Sequence, residues 1–368
     1  MNVNGAFNFF RLKNDNKDIY LFFNDDQNFS EQSKCNIEND LNIDIDNLFG
    51  KFLYNNKDMQ IDFLVNIDKN YTKYNNLLNG EYLKNIRTLF VELKNMNYKL
   101  LKLHYINFSG LTPLYTYLNQ FDTDASIFLN KHNIYLFIDS LYIVNNYIVN
   151  LYNFMHNNKN TLDGEIVKIL NKILDEKFYN DKKIHKILNE QFKIYFTDKL
   201  EYFINNNKRL IEKFLPYEKK INNFYNNNTF INYNKKKNEG LKDVERRVYY
   251  NLPLSTNETV EIYNDMLVHT KILFDLCNFL DAFVCLRRIL DKNYITNVIT
   301  YANYIQSSFI FYILVKYFNF KIEEYDFIND ISKEKLIEEI NKKDFYDITQ
   351  YLNKYNKSDC IKINSLFK

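Results

Sequence analysis

Between Ile19 and Phe108 the spacing of apolar residues switches back and forth between two periods, and this alternation restricts the possible folds more than any other feature. Ile19 to Phe23 is a continuous apolar run that ends in Asn24-Asp25-Asp26-Gln27, the pattern of a buried strand entering a loop. Ile45, Leu48, Phe49, Phe52 and Leu53 then follow helical spacing behind Asp44, an N-cap candidate. Ile61 to Val65 reads as a second strand, and a helix is predicted over Glu81 to Asn97. A third strand runs from Leu100 to Phe108 and stops at Ser109-Gly110. Strand, helix, strand, helix, strand calls for right-handed crossovers and parallel pairing. The expected fold class is therefore α/β, with a parallel or mixed central sheet and flanking helices.

From about Asn130 to Asp291 the helical period holds almost throughout, which predicts a large helical insertion. Its longest helix is predicted over Asn257 to Asp291, with Asp281, Arg287 and Arg288 on the polar face. Asn222 to Gly240, rich in Asn and Tyr and containing Lys235-Lys236-Lys237, reads as a solvated loop. The sheet pattern returns in the β-branched run Thr296 to Ala302, followed by a helix over Ile305 to Phe318 and a strand over Ile322 to Phe327. Two helices, near Ser332 to Asn341 and Asp344 to Tyr355, precede a short tail. The expected division is 1–125 and 292–368 for the two parts of an α/β core and 126–291 for the insertion. No internal repeat at solenoid periods is visible.

Composition narrows the function classes. Basic and acidic residues number 48 and 46 and are interspersed, so no global field draws the chain to nucleic acid or to an anionic membrane. The 31 Tyr and 32 Phe beside no Trp, together with abundant Asn, Lys and Ile, point to an A/T-rich genome rather than to an aromatic binding surface. Cys35, Cys277, Cys285 and Cys360 lack paired spacing, which fits a reducing compartment. Cys277 and Cys285 share a predicted helix, where eight residues span about 12 Å, too far for a bridge. Met1 to Lys13 lacks the layout of a signal peptide. Two apolar stretches, Ile134 to Tyr152 and Val298 to Phe320, carry polar residues costly at bilayer depth, and are read as a buried helix and as a strand followed by a helix. A cytoplasmic location without membrane insertion is expected.

Open parallel sheets bind ligands outside the carboxyl ends of their strands. That rule selects the loops at Asn24 to Gln27, Asn107 to Gly110 and Asn303 to Gln306, so Asn24, Gln27, Asn107, Asn303 and Gln306 form the predicted ligand pocket. Asp25 and Asp26 are turn or N-cap residues with a catalytic carboxylate pair as the competing reading. His104, inside a strand, is expected to be a hydrogen-bonded core histidine. Asp281 and Arg287 are six apart and lie on different faces of their helix, so no direct pair between them is expected. His132, His156, His185 and His269 lack metal-ligand spacing, and the six isolated glycines build no phosphate loop or nucleophile elbow, so neither metal nor cofactor is expected.

Four segments resemble, in order, an uncharacterised protein family of large nucleocytoplasmic DNA viruses. Leu21 to Ser30 and on to Cys35 is similar to that family's F-G-D-x-H-F-S opening with its later cysteine. His104 to Ser109 is similar to H-Y-x-D-x-R, Asp281-Ala282-Phe283 through Arg287 to D-x-Y-x-x-x-R, and Asn297 through Gln306 to N-V-x-x-Y-A-G-x-x-H. The two Gly-to-His elements also resemble, more distantly, those of erythromycin-esterase-like and haem-binding ChaN-like proteins, a likeness of fold alone. Under the resemblance both family histidines stand here as glutamine, at Gln27 and Gln306, and the Asp and Arg of the second motif stand as Asn107 and Ser109. Cys35, His104, Asp281 and Arg287 are kept. Glutamine exchanges no proton near neutral pH and ligates metals poorly, so the resemblance implies a kept scaffold with a neutralised site. At the glycine positions, asparagine is able to adopt a left-handed backbone.

Three functional readings follow. The first is a non-catalytic viral protein, in host cytoplasm or virion, that engages protein partners through its helical insertion. The second is a metal-dependent hydrolase using Asp25, Asp26, His104 and Arg287. The third is a nucleic-acid or virion packaging protein using Lys235 to Lys237, disfavoured by the charge balance. The sequence does not fix the oligomeric state.

Overall fold

The computed structural model describes residues 2–24, 42–56, 58–68, 88, 92, 95, 99–107, 112–131, 134–157, 162, 164–227, 254–326, 332–352 and 361–363. Its first strands are β1 (Asn2–Asn4), β2 (Asn8–Lys13), β3 (Asp18–Asn24) and β4 (Asn42–Asp44), followed by helix α1 (Ile45–Asn55) and strands β5 (Ile61–Asp68) and β6 (Leu101–Asn107). Five helices come next: α2 (Pro113–Lys131), α3 (Tyr135–Asn157), α4 (Glu165–Leu174), α5 (Lys182–Phe192) and α6 (Asp198–Asn227). The 36-residue α7 (Thr256–Asp291) leads into β7 (Asn297–Asn303), α8 (Tyr304–Phe318) and β8 (Lys321–Asp326). Helices α9 (Lys333–Lys342) and α10 (Phe345–Leu352) and strand β9 (Ile361–Lys362) complete the order.

The fold is α/β. A six-stranded sheet runs β6-β5-β7-β3-β2-β8, and a three-stranded sheet runs β4-β1-β9. In the larger sheet β6, β5, β7 and β3 are mutually parallel, while β2 is antiparallel to both β3 and β8. The register of β3 on β7 is unbroken from Asp18↔Asn297 to Asn24↔Asn303, so the two strands end side by side.

Both faces of this sheet are covered, which explains why Ile19 to Phe23 is apolar at every position and fully buried. On one face Phe49 of α1 packs its ring 4.9 Å from Phe22, 5.1 Å from Phe63 and 5.9 Å from Tyr301. Phe9, Tyr20 and Ile299 complete that layer. On the opposite face Phe10 stacks 4.3 Å from Phe311 of α8, and Phe309 gathers Phe279 and Phe283 of α7 and Phe345 of α10 within 5.2 Å. Aromatic rings are interleaved with Ile, Leu and Val in these layers, and each contributes roughly 1.5–3 kcal/mol when fully buried.

The chain divides into two compact units, one of residues 1–110, 171–189 and 278–368, the other of residues 111–170 and 190–277. The second unit is helical. Its interior mixes rings such as Phe121 and Phe137, 5.1 Å apart, with paired polar groups. Ser140 donates to Asp124 at 2.6 Å, and Asn207 donates to the Leu141 carbonyl at 3.1 Å. No helix among the described residues is long and apolar enough to cross a membrane.

Several expectations need correction. β1, β2, β4, β9 and nearly all of α2 were not foreseen. β2 and β3 form a hairpin whose turn is closed by Asn14, with Oδ1 accepting from the amides of Asn16 and Lys17. Asp44 holds the N-cap position of α1 but makes no capping bond; its carboxylate accepts from Asn4 Nδ2 instead. Residues 222–227 are helical, as the end of α6, while Lys235–Lys237 fall outside the described residues. Asp281 is fully buried rather than on an exposed polar face, because the last turns of α7 are covered all round. Of the helix predicted over Glu81 to Asn97, only Thr88, Glu92 and Asn95 are described, each helical and exposed.

Candidate functional site

The carboxyl ends of β3 and β7 meet at Asn24 and Asn303, where the crevice rule places a ligand. Asn303 is the N-cap of α8, its backbone extended at φ −61° and its Oδ1 accepting from the Gln306 amide at 2.8 Å. The left-handed geometry that asparagine could have supplied there is not used; among the described residues the positive-φ non-glycine residue is Asn319. The cap aims Asn303 Nδ2 at Asn278 Oδ1, 2.6 Å away on α7.

One helical turn further along both helices the contact repeats, since Gln306 Nε2 donates to Asp281 Oδ2 at 3.1 Å. Asn278 and Asp281 are three apart on α7, and Asn303 and Gln306 are three apart across the start of α8, so two parallel rungs join the helices. These four side chains are 5% exposed or less. Ser307 closes the corner by donating to the Ala302 carbonyl at 3.1 Å. The amino end of α8, with its partial positive charge, lies at this corner.

The other predicted residues are spread more widely. Asn107 ends β6 in register with Asp68 of β5, so β5 and β7 separate it from β3. Arg287 donates to the Phe178 carbonyl at 2.7 Å and lies 5.3 Å from the centre of the Tyr179 ring, engaging neither Asp281 nor His104. Asp25, Asp26 and Gln27 lie outside the described residues, as do Ser109 and Cys35.

His104 has a partner that sequence reasoning did not single out. Its Nε2 is 2.6 Å from Asp62 Oδ1, and Arg288 Nη2 donates to the same oxygen at 3.1 Å. Burial pushes the Asp62 carboxyl up, but His104 and Arg288 together hold it below the usual carboxylate range. Burial also pushes the His104 imidazole below its ordinary value, with Arg288 and Lys102 acting the same way against the pull of Asp62. The clue available in sequence was an aspartate inside an apolar strand, Ile61-Asp62-Phe63-Leu64-Val65, since a buried carboxylate must be paired.

At the amino end of the sheet Lys17 donates to the Lys292 and Ile295 carbonyls, both at 2.8 Å, covering the carboxyl end of α7. Asp291 accepts from the amides of Asn180 and Asp181 at 2.6 and 3.3 Å, just ahead of α5. Among the described residues no three His, Cys, Asp or Glu side chains are grouped so as to hold a metal ion.

Fold and local geometry together define a class: an α/β protein with a four-stranded parallel core, in which paired amides and a buried carboxylate lie where β7 enters α8. The chain belongs to a family of unknown function, DUF5847, whose profile matches residues 51–368. It is similar to the uncharacterized protein R706 of Acanthamoeba polyphaga mimivirus, a giant-virus protein, at 26% identity over 423 residues that span 100% of this chain and 96% of the relative. No solved structure matches it. The family match takes in Asn278, Asp281, Asn303 and Gln306 and leaves out the loop at Asn24 to Gln27.

Proposed function

We propose that this chain is a non-catalytic α/β protein that works by binding, with the helical insertion, residues 126–291, as its contact surface. The observation that carries the reading is the bond from Gln306 to Asp281, sealed from solvent at the strand ends. A primary amide exchanges no proton with the carboxylate it holds, and the burial of both side chains leaves a substrate no open approach to them. The resemblance to a viral family with histidine at the Gln27 and Gln306 positions, and the more distant esterase-like likeness, support the same reading: the architecture is kept and the imidazoles are gone.

The contact role is supported by where apolar surface lies. Of the thirteen large hydrophobic side chains exposed among the described residues, nine fall between Leu129 and Val268. On α7, Val260 and Leu267 are seven apart and 52% and 39% exposed, on one stripe of the helix, with Val268 beside them.

Two measurements test the proposal. Metal analysis of the purified protein is expected to find no stoichiometric metal; a tightly held ion lost in an Asp25→Ala variant would establish the hydrolase reading instead. Cross-linking with mass spectrometry is expected to place partner cross-links on α7 between Val260 and Lys271, and Leu267→Glu should abolish them while leaving thermal stability unchanged. Cross-links confined to the sheet unit would defeat the assignment of the surface.

A further inference from the structure

A second cluster of charged groups lies away from the strand-end crevice, on the edge strand β6. Lys102 and His104 are two apart on this strand and therefore share a face. His104 meets Asp62 of β5, and Asp62 meets Arg288 of α7, through one shared oxygen. Because that oxygen belongs to an ionised carboxylate, Nε2 of His104 carries the hydrogen and Nδ1 keeps the lone pair. Nδ1 has no hydrogen-bond partner among the described residues.

The cations of the cluster exceed its anion. Among the described residues Lys102 has no carboxylate partner, and its ammonium rests 4.7 Å from the centre of the Tyr294 ring. Of the Arg288 guanidinium, Nη2 alone is bonded among the described residues, and the side chain is 30% exposed. Asp62 offsets one of the two positive charges. Asp62 Oδ2 and Arg288 Nε are both buried without a partner among the described residues, so the cluster is one donor and one acceptor short of satisfaction.

We infer that Lys102, Arg288 and His104 form a binding site for a small tetrahedral oxyanion of the sulfate or phosphate type, with His104 taking up a proton as the anion enters. Lys102 supplies a point charge, and Arg288 offers its unused N–H groups. Protonated Nδ1–H of His104 adds a third donor, while Asp62 holds the ring from behind. Without an anion, burial and the two cations keep the imidazole neutral near pH 7. An anion reverses the local field, so binding and protonation reinforce each other. Lys17, from the β2–β3 turn, is a further cation that feels the charge of Asp62.

The test is to follow the His104 ring protons by NMR while titrating sulfate, which stays fully ionised from pH 5 to 8, at ionic strength held constant with chloride. Saturating sulfate should raise the His104 pKa by about one unit, so that sulfate binds roughly tenfold more tightly to the protonated form. Lys102→Ala, at a partly exposed position, should fold normally and lose that shift. His104→Gln should bind sulfate with the same affinity at pH 5.5 and 7.5. Inorganic phosphate and a nucleoside monophosphate then identify the source: equal affinity marks a free oxyanion, and tenfold tighter nucleotide binding marks a phosphate carried on a nucleoside. A His104 pKa indifferent to sulfate, or a Lys102→Ala protein that titrates like the parent, overturns the inference.

Discussion

Gln306 donates through Nε2 to Asp281 Oδ2 at 3.1 Å, and neither side chain reaches solvent. The bond ties the first turn of α8 to α7, beside a second rung from Asn303 to Asn278. A buried carboxylate that loses a donor bears the full desolvation cost, so the pair acts as a lock on the crevice.

Gln306→Leu removes the donor and keeps approximate volume, and should lower stability by about 1–3 kcal/mol in urea denaturation at pH 7. Gln306→Glu sets a second carboxylate against Asp281 and should cost more, on the order of 3–5 kcal/mol at pH 7. The difference between the two variants should shrink as the pH falls, because the introduced carboxyl group, once protonated, can again donate to Asp281. Equal costs at pH 7 would mean that water reaches the pair and the crevice is open.

How far this site could be read in advance differs from residue to residue. The apolar run Ile19 to Phe23 and the β-branched run Thr296 to Ala302 foretold two buried strands, and the pairing sets them side by side with Asn24 opposite Asn303. β2 escaped notice because Asn8 to Lys13 mixes Phe with Arg and Lys, as a strand antiparallel to its neighbours and closer to the sheet edge is free to do. The rungs from α7 were unreadable for a different reason. Asn278 and Asp281 look like solvent-facing residues of an amphipathic helix, and only tertiary packing shows them facing inward to meet Asn303 and Gln306. Asp62 was passed over inside its apolar strand, and its partners His104 and Arg288 lie 42 and 226 residues away.

His269 is expected to contribute to acid sensitivity in the helical unit. Its Nδ1 accepts from Asn206 Nδ2 at 2.9 Å, an orientation fixed because Arg209 donates to the amide oxygen of Asn206. The ring is buried between Phe121 and Phe203, and its Nε2 has no partner among the described residues. Burial, assisted by Arg209, pushes its pKa down to about 3. The folded pKa is below the unfolded value near 6.5, so the unfolded chain binds the proton first. Stability contributed by this group is complete above about pH 6.5 and falls by up to roughly 1.4 kcal/mol per pH unit toward pH 3. Urea titrations from pH 7 to 4 should show this slope in the parent protein and a shallower one in His269→Phe, even though the variant leaves Asn206 without its acceptor. Identical slopes would place the acid sensitivity elsewhere.

Asp291 fastens α5 to the end of α7. It is 1% exposed and receives the amides of Asn180 and Asp181, while Lys292 lies 3.2 Å from its second oxygen. Asp291→Ala should strip those amides of their acceptor and cost about 3–5 kcal/mol, as removal of one partner from a buried charge cluster does. Hydrogen exchange should reveal where the loss falls, with protection dropping first across residues 171–189. A uniform drop over the whole chain would show that this segment does not open by itself.

Asp124 presents the opposite case, a buried carboxylate whose charge the fold disfavours. It receives Ser140 Oγ at 2.6 Å and Gln120 Nε2 at 2.7 Å, neither of them cationic. Burial raises its pKa, and the hydrogen bonds from Ser140 and Gln120 only partly counter that rise. With a folded pKa above the unfolded one, the folded state holds the proton more tightly, so this group costs stability as the pH climbs through the unfolded and then the folded value. Asp124→Asn removes the charge without removing the contacts: the amide oxygen still accepts from Gln120, and the amide nitrogen can donate to Ser140 Oγ, which reverses its own role. The variant should therefore be more stable than the parent at pH 7, by about 1.4 kcal/mol for each unit that the fold raises the pKa above its unfolded value, and the gain should vanish below about pH 4. Urea denaturation at the two pH values checks both halves. An Asp124→Asn protein less stable at pH 7 would mean that the charge itself is needed, and would direct attention to a cation that Asp124 serves within the helical unit.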